Sequence, residues 1–443
     1  MKICFFGFAK MDYKGEEINE AFFLKMLVDE LSERGVKSFY FFKENDTGLH
    51  DENLYNDFSI KAERLCINQY TDYPFKEYVN YTEEELYEVI EFNHQVGLIK
   101  NGMDSERKLL TTVTKCLENI KKFDSEYNFD LFVFFGNTII SNIIRAYCKK
   151  NNKQYYNMEN GYFRPYTLMV DPKGVNYNST IPREFEFYRN LSLDSNRLSE
   201  YLMKPEYAGT NSAETLYYRK IFYNYYGIHI EDKKRTSNIN NKMNKDFFEL
   251  PEEYIYVPFQ LETDSQIIKH SPNVKTMNQL VEVTSKSLER YNRDNNKNLK
   301  IIYKTHPLYT SELKIMDLEG IQQICKQDPN LIFLTDGNNK ELLSNAKAVI
   351  TINSTVGLEA LIAHKPVITL GQAFYNISGL VHVVENLDYL SGTLEKALTV
   401  PVDSTVIDKF LYYLRFHYFV EIFRSSPDKQ SIKRLANKLI NIE

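Results

Sequence analysis

Several short stretches of this sequence bring together residue types that can hold a phosphate. In Ile352–Leu361 (INSTVGLEAL) an apolar run ends in Asn353, Ser354 and Thr355, and a helix then begins with small residues. A helix start leaves backbone N–H groups without intrahelical partners and carries the positive end of the dipole, which suits an anion. The Ser354 and Thr355 hydroxyls can bond phosphate oxygens, Gly357 permits close approach, and Glu359 can reach ribose hydroxyls. An ordinary N-cap followed by a helical Glu is the plainer reading. A second stretch, Lys304-Thr305-His306-Pro307, closes another apolar run. A histidine held by a following proline can donate to a phosphate, and Lys304 adds charge; a loop histidine without a role is the alternative. Gln260, Asp264 and Ser265 lie in a third, polar stretch (QLETDS) placed after the run Tyr254–Val257. It is either a ligand loop or a solvated turn. Gly371–Tyr375 (GQAFY), after Pro366–Leu370, completes the set.

The first half of the chain offers Glu159-Asn160-Gly161-Tyr162-Phe163-Arg164-Pro165. A carboxylate, a flexible glycine and an arginine within six residues can supply a general base or nucleophile and a clamp for an anionic sugar, or can form a surface turn. The sequence has no glycine-rich phosphate loop, no GxGxxG and no GxSxG to support rival chemistries. It also has no DxD pair, and its scattered histidines and cysteines do not suggest a metal.

Loops such as these must be held at strand ends, and the hydrophobic pattern supplies the strands. Lys2–Phe8, a helical pattern over Glu17–Arg34 and Val36–Phe42 predict a βαβ unit at the N-terminus. Leu131–Phe135, a helix over Thr138–Lys149 and Gln154–Met158 repeat the alternation, after a long polar helical region in Thr82–Glu126. The stretch Arg183–Asn244 is Tyr- and Asn-rich with a helical pattern, and it ends in KKRTSNINNKMNKD, which reads as a linker. A second series follows: Tyr254–Val257, Lys300–Lys304, Ile332–Leu334, Ala348–Ile352 and Pro366–Leu370. Short apolar strands spaced by helices predict a parallel sheet with ligands at the strand carboxyl ends. The expected domains are 1–245, a Rossmann-like domain with a helical insertion, and 250–385, a second Rossmann-like domain. C-terminal helices over 386–443 are expected to pack back on the body.

The bulk composition agrees with an ordinary globular chain of two or three domains. It has 443 residues, 43% hydrophobic and 26% charged, with 33 Tyr, 29 Phe and no Trp. A formal net charge of -6 makes nucleic acid a poor partner for the surface as a whole. Five cysteines without CxxC spacing read as a reduced cytoplasmic protein, and no leader or membrane-spanning run is evident. The aromatic run Phe410–Phe423, with Arg415, Arg424, Lys429, Lys433, Arg434 and Lys438 nearby, either docks on anionic lipid or packs back across the domains, and the second is favoured.

Taken together, these segments resemble the capsule polysaccharide synthesis family of β-Kdo transferases, where Kdo is 3-deoxy-D-manno-octulosonic acid, and within it the KpsS/LipB-like branch. The stretches that carry the likeness are ENGYFRP (Glu159–Pro165) with GVN (Gly174–Asn176), VPFQLETDSQI (Val257–Ile267) with HSP (His270–Pro272), KTHP (Lys304–Pro307), INSTVGLEAL and GQAFYNISGL (Gly371–Leu380). They stand in family order across about residues 155–385.

The resemblance implies a GT-B-like α/β fold, two Rossmann-type domains with parallel sheets and a cleft between them. It also implies a CMP-Kdo donor, a lipid (phosphatidylglycerol-type) or Kdo-lipid acceptor, no metal and no other cofactor. Work at the inner face of the cytoplasmic membrane, alongside capsule synthesis and export machinery, is part of the same expectation. By family analogy His306, Pro307, Ser354 and Thr355 hold the CMP phosphate and Glu359 lies near the ribose. Lys304, Asn353, Gly357, Gln260, Asp264 and Ser265 complete the donor set. Asn160, Gly161, Arg164 and Tyr375 are assigned to sugar or acceptor. A related branch has Asp where this chain has Asn160, and that Asp is implicated at the anomeric carbon. An amide cannot be that nucleophile, so Glu159 takes the role, or Asp264 does, or the mechanism differs; Glu159, with His306, is the catalytic choice. Two rival readings keep the fold: another CMP- or UDP-sugar as donor, or a non-catalytic assembly or export partner.

Overall fold

The computed structural model describes residues 1–8, 20–43, 59–67, 89, 106–206, 250–306, 318–424 and 427–441. Pro307, the proposed linker and most of the helical readings over 82–105 and 207–244 lie outside the described residues. The strands are β1 (Lys2–Phe6), β2 (Lys37–Phe42), β3 (Ala62–Cys66), β4 (Leu131–Phe135), β5 (Gln154–Asn160) and β6 (Thr167–Asp171) in the first half. The second half adds β7 (Tyr254–Pro258), β8 (Lys300–Lys304), β9 (Leu331–Leu334), β10 (Ala348–Thr351), β11 (Val367–Thr369), β12 (His382–Val383) and β13 (Val420–Glu421).

Two sheets result, each dominated by parallel pairing. One runs β13-β6-β5-β4-β1-β2-β3, the other β12-β11-β10-β7-β8-β9. In the first, β1 to β5 are mutually parallel while β6 and β13 join antiparallel at one edge. The second is parallel throughout. Helices cover both faces, which is why the strands read as unbroken apolar runs rather than alternating ones. Along β1, Ile3 and Phe5 face the helices Glu20–Glu33 and Lys429–Leu439, whereas Cys4 and Phe6 face Glu106–Tyr127 and Ile139–Lys150. The second sheet divides in the same way, with Ile255 and Val257 on one face and Tyr254 and Tyr256 on the other.

After the second lobe the chain returns to the first. After the helix Ser404–Tyr413, one wide turn over Leu414–Tyr418 closes with Phe419 N–H donating to the Leu414 carbonyl at 3.0 Å. Strand β13 then pairs with β6, and the helix Lys429–Leu439 buries Ile432, Leu435, Ala436 and Leu439 against the first lobe. The lipid-docking reading of Phe410–Phe423 is therefore corrected. Phe410, Leu411, Leu414, Tyr418, Phe419 and Ile422 are buried, so the aromatic surface a bilayer needs is spent inside the protein. Arg415 is buried as well, paired with Glu421 and donating to the carbonyls of Tyr201 and Lys204. Among the described residues no helix is long and apolar enough to cross a membrane.

Candidate functional site

The carboxyl ends of β7, β8 and β10 lie side by side, since β10 pairs with β7 and β7 with β8. The loop after β7 is braced to the loop after β10 by two amides. Gln260 Nε2 donates to Asn353 Oδ1 at 3.0 Å, and Asn353 N–H donates to Gln260 Oε1 at 3.1 Å. Asn353 Nδ2 donates onward to the carbonyls of Gln266 and His270, at 2.8 and 3.1 Å. Both side chains are buried, and a buried amide left unpaired costs about 1–3 kcal/mol. Gln260 and Asn353, expected to bind donor, are thus engaged inside the protein and position the loops. Asp264 Oδ1 caps the helix Ser265–His270 by accepting from Gln266 N–H at 2.8 Å, with Ser265 beside it.

Two glycines and a tyrosine need the same correction. A Cβ on Gly357 would sit 2.2 Å from the Tyr375 hydroxyl, so the space beside that glycine holds a phenol ring and not a ligand. Tyr375 is fully buried and donates to the Ser354 carbonyl, which removes it from any sugar or acceptor. A Cβ on Gly161 would meet Thr167 Oγ1 at 2.3 Å. Gly161 is there to let β5 turn back into β6.

The remaining polar residues gather into one electrostatic neighbourhood drawn from both lobes. Burial raises the Glu159 carboxyl, opposed by its own bond from Asn160 N–H (2.9 Å) and by Arg164, and assisted by Asp264 of the second lobe. His306 is pulled down by burial, with Asp264 acting upward and Lys304 downward. Lys304 is also lowered by burial, with Asp336 and Glu359 opposing. Glu359 is raised by burial and held back by Arg164 and Lys304. Glu159 and Arg164 belong to the first lobe; Asp264, Lys304, His306 and Glu359 belong to the second. Lys304 is 5% exposed and makes no ion pair or side-chain hydrogen bond among the described residues. A buried ammonium so placed is a strong attractor for an anion. Ser354 and Thr355 sit partly exposed on the adjoining loop, where the Ser354 hydroxyl accepts from Val356 N–H at 3.2 Å.

Other residues of the same stretches build the seam between the lobes instead. Tyr162 stacks on Phe374 with ring centroids 4.0 Å apart and planes 7° from parallel. Arg183 donates to the carbonyls of Ala373, Phe374 and Tyr177. The buried His270 ring lies between Asn178 of the first lobe (3.4 Å) and Gln372 of the second (3.3 Å). Asp171, fully buried, fixes the first-lobe side: it accepts from Lys173, Gly174 and Thr180 backbone N–H groups and from the Tyr418 hydroxyl. None of these roles was legible from local spacing.

One cation at the site escaped the sequence reading as a site residue. Arg424, just beyond β13, donates to Asn160 Oδ1 at 2.8 Å and lies 4.2 Å over the Phe135 ring at the end of β4. The only sequence signal for it was its place in a basic tail.

Residues 130–388 match the family model described as capsule polysaccharide biosynthesis protein. The chain is 27% identical over 326 residues to Protein FixF of Sinorhizobium fredii (strain NBRC 101917 / NGR234), covering 72% of this chain and 68% of that one. It is 26% identical over 291 residues to the capsule polysaccharide export protein KpsS of Escherichia coli, covering 59% and 72%. Among solved structures, the β Kdo 2,7 transferase KpsC of Thermosulfurimonas dismutans has 19% identity, a TM-score of 0.35, and coverage of 73% of this chain and 89% of that chain.

Proposed function

The chain belongs to the capsule polysaccharide biosynthesis protein family, and from that premise we propose that it is a glycosyltransferase that moves Kdo from CMP-Kdo to a phosphatidylglycerol-type lipid or a Kdo-lipid in a capsule linker. The observation that carries the reading is electrostatic coupling between the lobes: Asp264 acts on Glu159 and Arg164 acts on Glu359, while Asp264 and Lys304 act on His306. A sugar nucleotide needs such a site: cations for the phosphate, an arginine for the sugar carboxylate, and a carboxylate for the incoming hydroxyl.

In this reading Lys304, a His306 ring N–H and the Ser354 and Thr355 hydroxyls hold the CMP phosphate, with Glu359 toward the ribose. Pro307, from the same stretch, is kept as a donor-side residue by resemblance alone. The C–O bond from the anomeric carbon to phosphate breaks with its electron pair leaving on CMP. A new bond forms from the acceptor oxygen to that carbon, and the acceptor proton passes to Glu159. Fixed donors aimed at the developing phosphate charge supply most of the rate, because they need no reorganisation when the bond breaks. The planar fork of Arg164 suits the sugar carboxylate better than an ammonium does. The charge on the leaving group is assigned to protein cations, without a metal. A lipid acceptor places the work at the inner face of the cytoplasmic membrane, beside the capsule assembly and export machinery.

The test is direct. Purified protein is incubated with CMP-Kdo and a short-chain phosphatidylglycerol, and the lipid is weighed by mass spectrometry for one added Kdo. CMP is also expected to raise the melting temperature, since a ligand of the native state stabilises it. Product from another CMP- or UDP-sugar alone reassigns the donor; no product and no stabilisation by any nucleotide overturns the enzymatic reading.

A further inference from the structure

Asn160 carries an amide next to the candidate base, and the structure fixes which end of that amide faces outward. The guanidinium of Arg424 has only donors, so the atom it meets at 2.8 Å must be the amide oxygen. The guanidinium is itself held over the Phe135 ring, 4.2 Å from its centroid, where a cation is attracted by the ring face. The amide oxygen is therefore committed to Arg424. Asn160 is exposed at the end of β5, and among the described residues nothing accepts from its Nδ2. Its backbone N–H, meanwhile, holds Glu159 Oε1 at 2.9 Å, so residues 159 and 160 are set as one unit.

We infer that Arg424 is a positioning residue that locks Asn160 as a hydrogen-bond donor toward an anionic oxygen of the substrate, in place of the acceptor that a carboxylate here would be. This rests on the transferase reading of the site. The oxygen belongs to a carboxylate or a phosphate, both of which accept from an amide N–H and are repelled by a carboxylate. Arg424 thus reaches the chemistry through Asn160, across 264 residues of sequence, and the segment just after β13 becomes part of the site.

The experiment is a double-mutant cycle on transfer kinetics with Asn160→Ala, Arg424→Met and the pair, plus Asn160→Asp and Arg424→Lys. Arg424→Met is expected to lower kcat/KM about 10-fold with an unchanged melting temperature, as loss of one oriented hydrogen bond does. The loss should shrink to under about 2-fold in the Asn160→Ala background. Arg424→Lys should recover part of it, and Asn160→Asp should lose at least as much as Asn160→Ala. Donors with and without a sugar carboxylate separate the two oxygen sources: a carboxylate target makes the Asn160→Ala loss vanish with the plain sugar, a phosphate target leaves it. Fully additive losses would overturn the lock. A second readout needs no substrate. In protein labelled at asparagine nitrogen, the Asn160 side-chain amide signal should shift on Arg424→Met. An unmoved signal refutes the inference, whereas a moved signal in an inactive protein indicts the transferase reading alone.

Discussion

Burial and two charged neighbours decide how Glu159 can act. Its carboxyl is raised mainly by burial and further by Asp264, against the pull of Asn160 N–H and Arg164. A base must be ionised to accept the acceptor proton, so activity should fall as the pH drops through the raised value. The acid limb of the kcat/KM profile is expected above the ordinary carboxylate range. Glu159→Gln should lower kcat by about 10²–10⁴; a profile flat down to pH 4 would remove Glu159 from the proton transfer. His306 is lowered by burial, so near neutrality it is an uncharged donor rather than a cation. His306→Ala should cut kcat by about 10²–10³, the usual cost of one oriented donor to a developing anion, with the melting temperature intact. Wild-type turnover in that variant would place His306 outside the site.

At the scale of elements, the loops after β7 and β10 keep their shape through close contacts that no ligand supplies. Gly357 lets the helix Val356–Ile362 lie on Tyr375, whose hydroxyl also holds the Ser354 carbonyl. Gly357→Ala forces those groups apart and should cost about 1–3 kcal/mol, the range for overpacking a filled interior. Thermal unfolding would check it, and an unshifted melting temperature would show that the ring has room to move. This pair also shows what sequence can and cannot supply. Most of the parallel strands were legible because burial on both faces leaves unbroken apolar runs such as KICFF and LFVFF, whereas β3, reading AERLC, and the two-residue β12 carry no such run. The two-residue β13 and the return strand β6 were not, since their pairing depends on partners distant in the chain. A glycine after a strand looks the same whether a phosphate or Tyr375 fills the space beside it. Likewise Gln260 and Asn353 carry the right chemistry for a ligand, and only the fold shows that each satisfies the other. Glu159, Arg164, Lys304 and His306 stand out in the sequence as candidates because they are polar or charged groups that follow apolar runs.

At the scale of the molecule, the helix Lys429–Leu439 packs on the first lobe, and the burial of one lysine there predicts a stability that depends on pH. Lys438 donates to the Tyr418 carbonyl at 2.8 Å, and the Tyr418 hydroxyl donates to Asp171 at 2.7 Å. Asp171 in turn fixes the loop that carries Asn178 to His270 of the second lobe. Closure of the C-terminal helix and the seam between lobes therefore share one hydrogen-bonded path. Burial drives the Lys438 ammonium down to about 8 from the ordinary 10.5, against an opposing pull from Asp171. Below about pH 8 the group is charged in folded and unfolded chains alike, and its burial cost is present in full. Between about 8 and 10.5 the unfolded chain holds the proton and the folded chain does not, so stability rises with pH. Other tyrosines, lysines and thiols titrate in the same interval, so the contribution is isolated as the difference between the wild-type protein and Lys438→Met. Unfolding by urea at several pH values should show the wild type gaining on the variant from pH 8 to 10, with no such gain between pH 6 and 7. A constant difference would mean that Lys438 keeps its proton in the folded protein, and that the helix Lys429–Leu439 leaves its ammonium in water.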